Sequence, residues 1–417
     1  MWENKNLPQF GCLQGIKVVH ATASMAGPFA AQLLADYGAD VIWLENALAP
    51  DLSRTAFNYG MEAERRNQRN LALNIPSPEG KEIFLSLVKD ADIFLESSKT
   101  GQWEKWGLSD DVLWGVNPKL VICHVSGFGQ TGLKEYTSRP SYDMIAQAFS
   151  GFEAANMNPE TPPYAVGPYA GDYYTGLFAA VGILAALHRA QVTGQGESVD
   201  CAQYECMMRT QIMAVDALTA GTDQLLAGEP AIYAGVGSFM CKDGMYVQLS
   251  TGGAGVVKRS CEFLGVEYGG ELVPTGTPLI YMGTPAADVF QEKLLSYLAT
   301  KTAKEASDEM IAAGMTAQKV NKLIELVDDP HVQQREVIEE VTSVKGVDVK
   351  FVGPLPKFTN NPAYTWRAAP YQGQDNEEIL GELGYSDEEI ASLYEQRVIS
   401  NDKDMLFVYP YKVPGRG

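Results

Sequence analysis

Residues 164–176 read YAVGPYAGDYYTG, with one carboxylate, Asp172, between Gly171 and Tyr173 and the apolar run LFAAVGILAAL directly after. Two roles fit such a residue. Asp is a favoured helix N-cap, and its charge suits the positive end of a helix. A carboxylate with an ordinary pKa of about 3.9 is also ionised at neutral pH, so it can act as a nucleophile without a general base. Gly171 and Ala170 leave space for a bulky electrophile, and the neighbouring tyrosines carry hydroxyls that could contact reacting oxygens. Cap and nucleophile both stand at this level.

Other motifs narrow the chemistry. The chain has no G-x-S-x-G, H-E-x-x-H or Walker A sequence. His20, His124, His188 and His331 are scattered without ligand spacing, so neither a serine triad nor a metal site is expected. GFGQTG (127–132) matches the dinucleotide fingerprint, but that motif needs a helix opening from its last glycine, and Pro140 interrupts one. It reads as a turn, with an NAD-dependent oxidoreductase kept as an alternative. Arg65, Arg66 and Arg69 just before a strand form either a phosphate site or a solvated loop. SSKTGQWEKWG (97–107) sets Lys99 and Lys105 beside Trp103 and Trp106, a combination suited to phosphates and an adenine-like ring. Two solvated lysines with a packed tryptophan are the plainer alternative.

The elements that must position these residues follow a strand–helix–strand rhythm. GIKVVHAT (15–22) is a β-branched strand, AGPFAAQLLADYGAD (26–40) a helix stopped at Gly38, and DVIWLEN (40–46) a second strand. The pattern repeats through NLALNI, the helix 77–91, DIFLES, a helix at 108–116 and LVICHVS (120–126), which predicts a doubly wound parallel α/β sheet. A proline-containing stretch (156–171) precedes the Asp172 helix, and a strand ESVDCA and a helix over 203–218 follow it. GSFMCKDGMYVQLS (237–250) is a hairpin turning at Asp243-Gly244, STGGAGVV a glycine-rich loop, and 283–328 is helical. The expected division is a large Rossmann-like domain over 1–205, a linker helix over 206–224 and a smaller α+β domain over 225–330. Residues 331–417 then form a return linker and the C-terminal part of the large domain.

Composition sets the outer limits. The 417 residues carry a formal charge of −20, which argues against a nucleic-acid surface yet leaves room for one anionic ligand. The six cysteines lack CxxC spacing and read as free thiols. The start, MWENKNLPQFG, lacks a basic and apolar leader, and the longest apolar runs are about half of the ~20 residues that a membrane span needs. The expectation is a cytoplasmic protein.

Taken together, LQGIKVV, AGPFAAQLLADYGADVIWLE, NLALNIPSPEGKEIF, ADIFLESS, NPKLVICHVSGFGQTG, SYDMIAQAFSG, GDYYTG and ALHRAQVTGQGESVDCAQYE resemble the class III CoA-transferases. That family includes formyl-CoA, carnitine and bile-acid CoA-transferases, and the resemblance runs nearly the whole chain, through PKFTNNPAYTWR and LGYSDEEI. It implies that Asp172 is the nucleophile, passing through an aspartyl acyl anhydride and an aspartyl-CoA thioester. It implies that Lys99 binds CoA and that Lys105 is nearest to a second basic contact, although Trp106 stands where the carnitine type has arginine. Ala26, Leu73, Ser98, Trp106 and Tyr142 complete the implied CoA contacts, and Gly252, Gly253 and Gly255 the loop that closes over the acyl group. No metal is implied, coenzyme A being a substrate. Two chains are expected to interlock as rings in a homodimer. The carnitine type is most similar, with bile-acid enzymes next and a non-catalytic CoA-binding protein as a further alternative. Tyr142, Tyr164, Tyr169, Tyr173 and Tyr174 could form a cage for a trimethylammonium group.

Overall fold

Six short strands rich in Val, Ile and Leu pair in parallel: β1 (Lys17–Ala21), β2 (Asp40–Glu45), β3 (Arg69–Ala72), β4 (Ile93–Glu96), β5 (Val121–Ser126) and β6 (Ser198–Ala202). Their order is β3-β2-β1-β4-β5-β6. This computed structural model describes residues 2–57, 59–157, 162–212, 214–221 and 231–402. Alternate residues of the strands enter two separate cores. Val19, Ile42, Phe94 and Ile122 pack with the helix Pro78–Val88 and with Ile379 and Leu393 near the C-terminus. Their neighbours Val18, Val41, Ile93 and Val121 pack with the helices Ala26–Asp36 and Ala170–Thr193. Burial on both faces explains why these strands read as continuous apolar runs. The sheet is thus doubly wound, as its sequence rhythm predicts.

The chain divides into two compact units, Met1–Ala227 with Glu336–Gly417, and Gly228–Arg335. The first holds the parallel sheet and an antiparallel hairpin, β10 (Ile338–Thr342) and β11 (Asp348–Val352). The second has the sheet β7 (Gly237–Met240), β8 (Tyr246–Leu249) and β9 (Ala317–Lys319), with its own core around Phe290 and Leu294. The β9 strand interrupts what the sequence marks as helical over 283–328, because its backbone completes the β8 ladder. The helix expected over 203–218 forms as two, Gln203–Arg209 and Ala214–Ala220; part of the 206–224 linker and of the 156–171 stretch lies outside the described residues.

Arg65, Arg66 and Arg69 form neither a phosphate site nor a solvated loop. All three are buried, and each meets a carboxylate: Asp51 at 3.1 Å, Asp36 at 2.6 Å and Asp40 at 3.0 Å. Arg69 also reaches Glu382 at 2.8 Å. Burial still pushes Asp36 up to about 6, which the Arg66 charge only partly offsets. Removing one partner of such a pair typically costs about 3–5 kcal/mol, since an uncompensated charge stays behind.

The helix Ala170–Thr193 is the longest among the described residues. By length and mean hydropathy (1.3) it could cross a membrane, longer than the sequence expectation allowed, but half of its most apolar window is buried within the protein. Gly176 sets how closely it meets the first helix. A Cβ there would lie 2.7 Å from the Ala26 carbonyl oxygen and 2.8 Å from the Phe29 ring. Gly176→Ala should therefore lose about 1–2 kcal/mol in urea unfolding, the backbone clash outweighing a helix-propensity gain of up to about 1 kcal/mol.

Candidate active site

The backbone N–H groups of Gly171 and Asp172, in the first turn of this helix, both donate to one oxygen of Asp143, at 2.7 and 3.2 Å. Asp143 belongs to another helix, Asp143–Phe149. The cap is therefore supplied from outside, and the Asp172 side chain is free of that task. Gly171 makes this possible, because a Cβ there would sit 3.0 Å from the same Asp143 oxygen. The second Asp143 oxygen accepts from Gln147 at 2.7 Å. Gln147 in turn exchanges two hydrogen bonds with the Val166 backbone, tethering the approach to the helix.

Asp172 is 9% exposed, and among the described residues its carboxyl accepts one hydrogen bond, from Gln203 Nε2 at 2.6 Å. Gln203 opens the helix that follows β6, and its side-chain amide oxygen accepts from the Ser141 hydroxyl at 3.1 Å. Gly127, the first glycine of GFGQTG, lets Ser141 approach; a Cβ there would fall 2.1 Å from Ser141 Cβ. No long helix opens from that motif: Lys134–Thr137 has four residues. The motif is a turn that serves the Asp172 wall. Burial, then the Asp143 charge and more weakly that of Glu64, push the Asp172 carboxyl up to about 7, against the Gln203 hydrogen bond. The sequence expectation of a fully ionised carboxylate at neutral pH is corrected accordingly: near pH 7 both forms are present.

Two cavities open beyond the carboxyl ends of the strands, where the strand order reverses between β1 and β4, the place where this architecture binds ligands. The first, about 320 Å³, is lined by Asp172, Gln203, Ala26, Ser98, Lys99 and Tyr142 among others. The second, about 480 Å³, is lined by Leu73, Trp103 and Trp106 and shares Ser24, Ser98 and Tyr142 with the first. Lys105 is exposed and lines neither cavity. Gly252 and Gly253 lie in the loop after β8 of the other unit, whereas Gly255 falls within the helix Ala254–Leu264. Gly253 has a positive φ of 96° and donates to the Pro278 carbonyl at 2.8 Å. Of the five tyrosines only Tyr142 lines these cavities. Tyr169 packs on Phe57, Tyr174 on Phe152 and Tyr173 on Phe29, so they do not gather into one cage.

Buried ionic networks hold the cavity walls. Ser24 adopts a left-handed φ of 64°, its N–H donating to Asp51 and its carbonyl accepting from Arg65 at 3.1 Å. Arg65 is thus a positioning residue. At the end of β4, Glu96 accepts from the Trp103 indole at 2.8 Å and from the Ser98 backbone. The other Glu96 oxygen meets His124 Nδ1 at 2.8 Å, while Nε2 meets Asp110 at 3.0 Å. Burial opposes the imidazolium, but hydrogen bonds and charges from Asp110 and Glu96 outweigh it and push His124 up to about 10. His20 is the reverse, lowered to about 3 by burial and neutral between Thr22 and Gln68. His124 is raised above its unfolded value of about 6.5, so its stabilisation is complete below that pH and is lost as pH rises towards 10. His124→Gln should flatten this loss of thermal stability between pH 6.5 and 10; an unchanged profile would contradict a charged His124.

The chain matches the family model described as CoA-transferase family III over residues 13–376. Among solved structures it is similar to a CaiB/BaiF family protein from Brucella suis, at 26% identity and a TM-score of 0.76, covering 90% of this chain and all of that one. A Mycobacterium tuberculosis protein at 23% identity has the same fold, with a TM-score of 0.75 over 89% of this chain and all of that one. With nearly the whole length matched, the chain belongs to CoA-transferase family III.

Proposed function

We propose that the protein moves CoA from an acyl-CoA to a free carboxylic acid through covalent intermediates on Asp172. The observation that carries this reading is the cap supplied by Asp143, which leaves Asp172 facing a cavity that also presents Lys99. The Asp172 carboxylate attacks the thioester carbonyl, giving a mixed anhydride and CoA thiolate. The thiolate attacks the aspartyl carbonyl, releasing the first acid as its carboxylate. The second carboxylate then attacks the aspartyl thioester, and the departing thiolate takes the new acyl group and restores Asp172. Each step exchanges one acyl bond for another, with no net proton or water. A thiol of pKa about 8.5 leaves readily.

Each tetrahedral intermediate on the aspartyl carbonyl carries a negative oxygen. The Gly171 and Asp172 N–H groups are already bonded to Asp143, so the donor in place is the Gln203 amide, 2.6 Å from the Asp172 oxygen. Losing one such donor costs about 3 kcal/mol of transition-state stabilisation. Lys99 serves a CoA phosphate, and Leu73, Trp103 and Trp106 offer an apolar, aromatic surface for the adenine. The free acid is of the carnitine type (carnitine, crotonobetaine or γ-butyrobetaine), on the strength of sequence similarity, with bile acids as the second class. Leu177, Phe178 and Val181 leave an apolar stripe of the Asp172 helix 40–66% exposed, which supports a homodimer that covers it. Free thiols, five of them buried, suit a reducing cytoplasm.

Asp172→Ala should abolish transfer while CoA binding persists; normal turnover in that variant would overturn the covalent route. In the wild type, kcat should rise with pH through about 7 as the nucleophilic carboxylate forms. Gln203→Leu should lower kcat on the order of 100-fold and move this rise to higher pH, because a bond that favours the carboxylate is gone. Screening acyl-CoA donors against carnitine, γ-butyrobetaine, crotonobetaine and bile acids tests the substrate class; turnover of bile acids alone would displace the carnitine reading.

A further inference from the structure

Among the described residues, the cavity beside Asp172 has three charged side chains in its wall: Asp172, Lys99 and Arg139. Arg139 differs from the interior arginines. Arg54, Arg65, Arg66 and Arg69 all meet a carboxylate within 3.1 Å. Arg139 makes no ion pair among the described residues. Its Nε donates to the Glu135 carbonyl at 2.9 Å, and its guanidinium lies 3.9 Å from the centre of the Tyr136 ring. These contacts orient the plane of the fork while its two terminal nitrogens make no hydrogen bond among the described residues. From Arg139 the wall runs on to Ser141, whose hydroxyl donates to Gln203, which donates to Asp172.

We propose that Arg139 binds the carboxylate of the free acid and presents it to the aspartyl carbonyl. This rests on the covalent reading above. A planar, stacked guanidinium matches a carboxylate with two parallel hydrogen bonds, whereas the point charge of Lys99 suits a phosphate equally well from many directions. Charge also orders the steps. While Asp172 is an anion it repels a second carboxylate in the same cavity. Once it carries CoA as a thioester it is neutral, and the Arg139 charge is left to attract the acid. The bound carboxylate then forms the new C–O bond as the C–S bond breaks and CoA thiolate departs; Arg139 keeps its protons throughout.

The test uses Arg139→Gln and Arg139→Lys in the full chain, with crotonobetainyl-CoA as donor. The acid is γ-butyrobetaine or, in its place, the acid that the substrate screen selects. Arg139→Gln should raise the KM for the acid about 10- to 100-fold and leave the KM for the acyl-CoA little changed, with Arg139→Lys between it and the wild type. Incubated with the acyl-CoA donor, Arg139→Gln should still show by intact-protein mass the CoA-sized adduct expected of the aspartyl thioester, which also shows that the variant is folded. An unchanged KM for the acid, or a rise in the KM for the acyl-CoA instead, would overturn the role of Arg139. Absence of the adduct from the wild type would instead bring down the covalent reading on which it rests.

Discussion

One carboxylate determines what the other can do. The hydrogen bonds from the first turn of the helix Ala170–Thr193 to Asp143 satisfy N–H groups that the helix start leaves open, so Asp172, the third helical residue, has no capping to do. Asp172 is left at the positive end of a helix dipole, with Gln203 as its side-chain partner among the described residues. Burial and the Asp143 charge meanwhile hold its pKa near neutrality, so the group is poised between acid and carboxylate. That balance suits a nucleophile that must also become a carbonyl: an ion pair strong enough to fix the carboxylate would hinder its acylation.

The fold supplies the rest by placing loops rather than long elements around that group. Strand order reverses between β1 and β4, and the loops after β1, β4 and β5 all reach the first cavity. These loops are held by buried charges that do not touch the cavity's reacting end. Asp51 and Arg65 fix Ser24, and the His124–Glu96 pair fixes Ser98. The chain is strongly acidic, yet its cations are used in two different ways. Interior arginines neutralise interior carboxylates, whereas Lys99 and Arg139 remain available in the cavity.

The parallel sheet was legible because burial on both faces leaves near-continuous Val and Ile runs, and turn residues punctuate them. Asp172 was visible for its isolation among small and aromatic residues. Its partners were not. Asp143 and Gln203 lie 29 and 31 positions away, and a lone polar residue at a helix start carries no periodic signal that links it to another. The arginines just before and at the start of β3 misled because composition marks a basic cluster without showing its acidic partners, which come from residues 36, 40 and 51. Gly255 was grouped with its loop because spacing alone does not reveal that the helix has already begun. Tyr169, Tyr173 and Tyr174, close in sequence, pack on different neighbours.

The most direct test is the ionisation of Asp172 itself, followed by ¹³C NMR of labelled aspartate with Asp172→Asn to assign the resonance. The wild-type midpoint should lie near 7. It should fall in Asp143→Asn, which keeps an oxygen to cap the helix but removes the neighbouring charge. A wild-type midpoint near the ordinary value of about 3.9, or one that Asp143→Asn leaves unmoved, would contradict it.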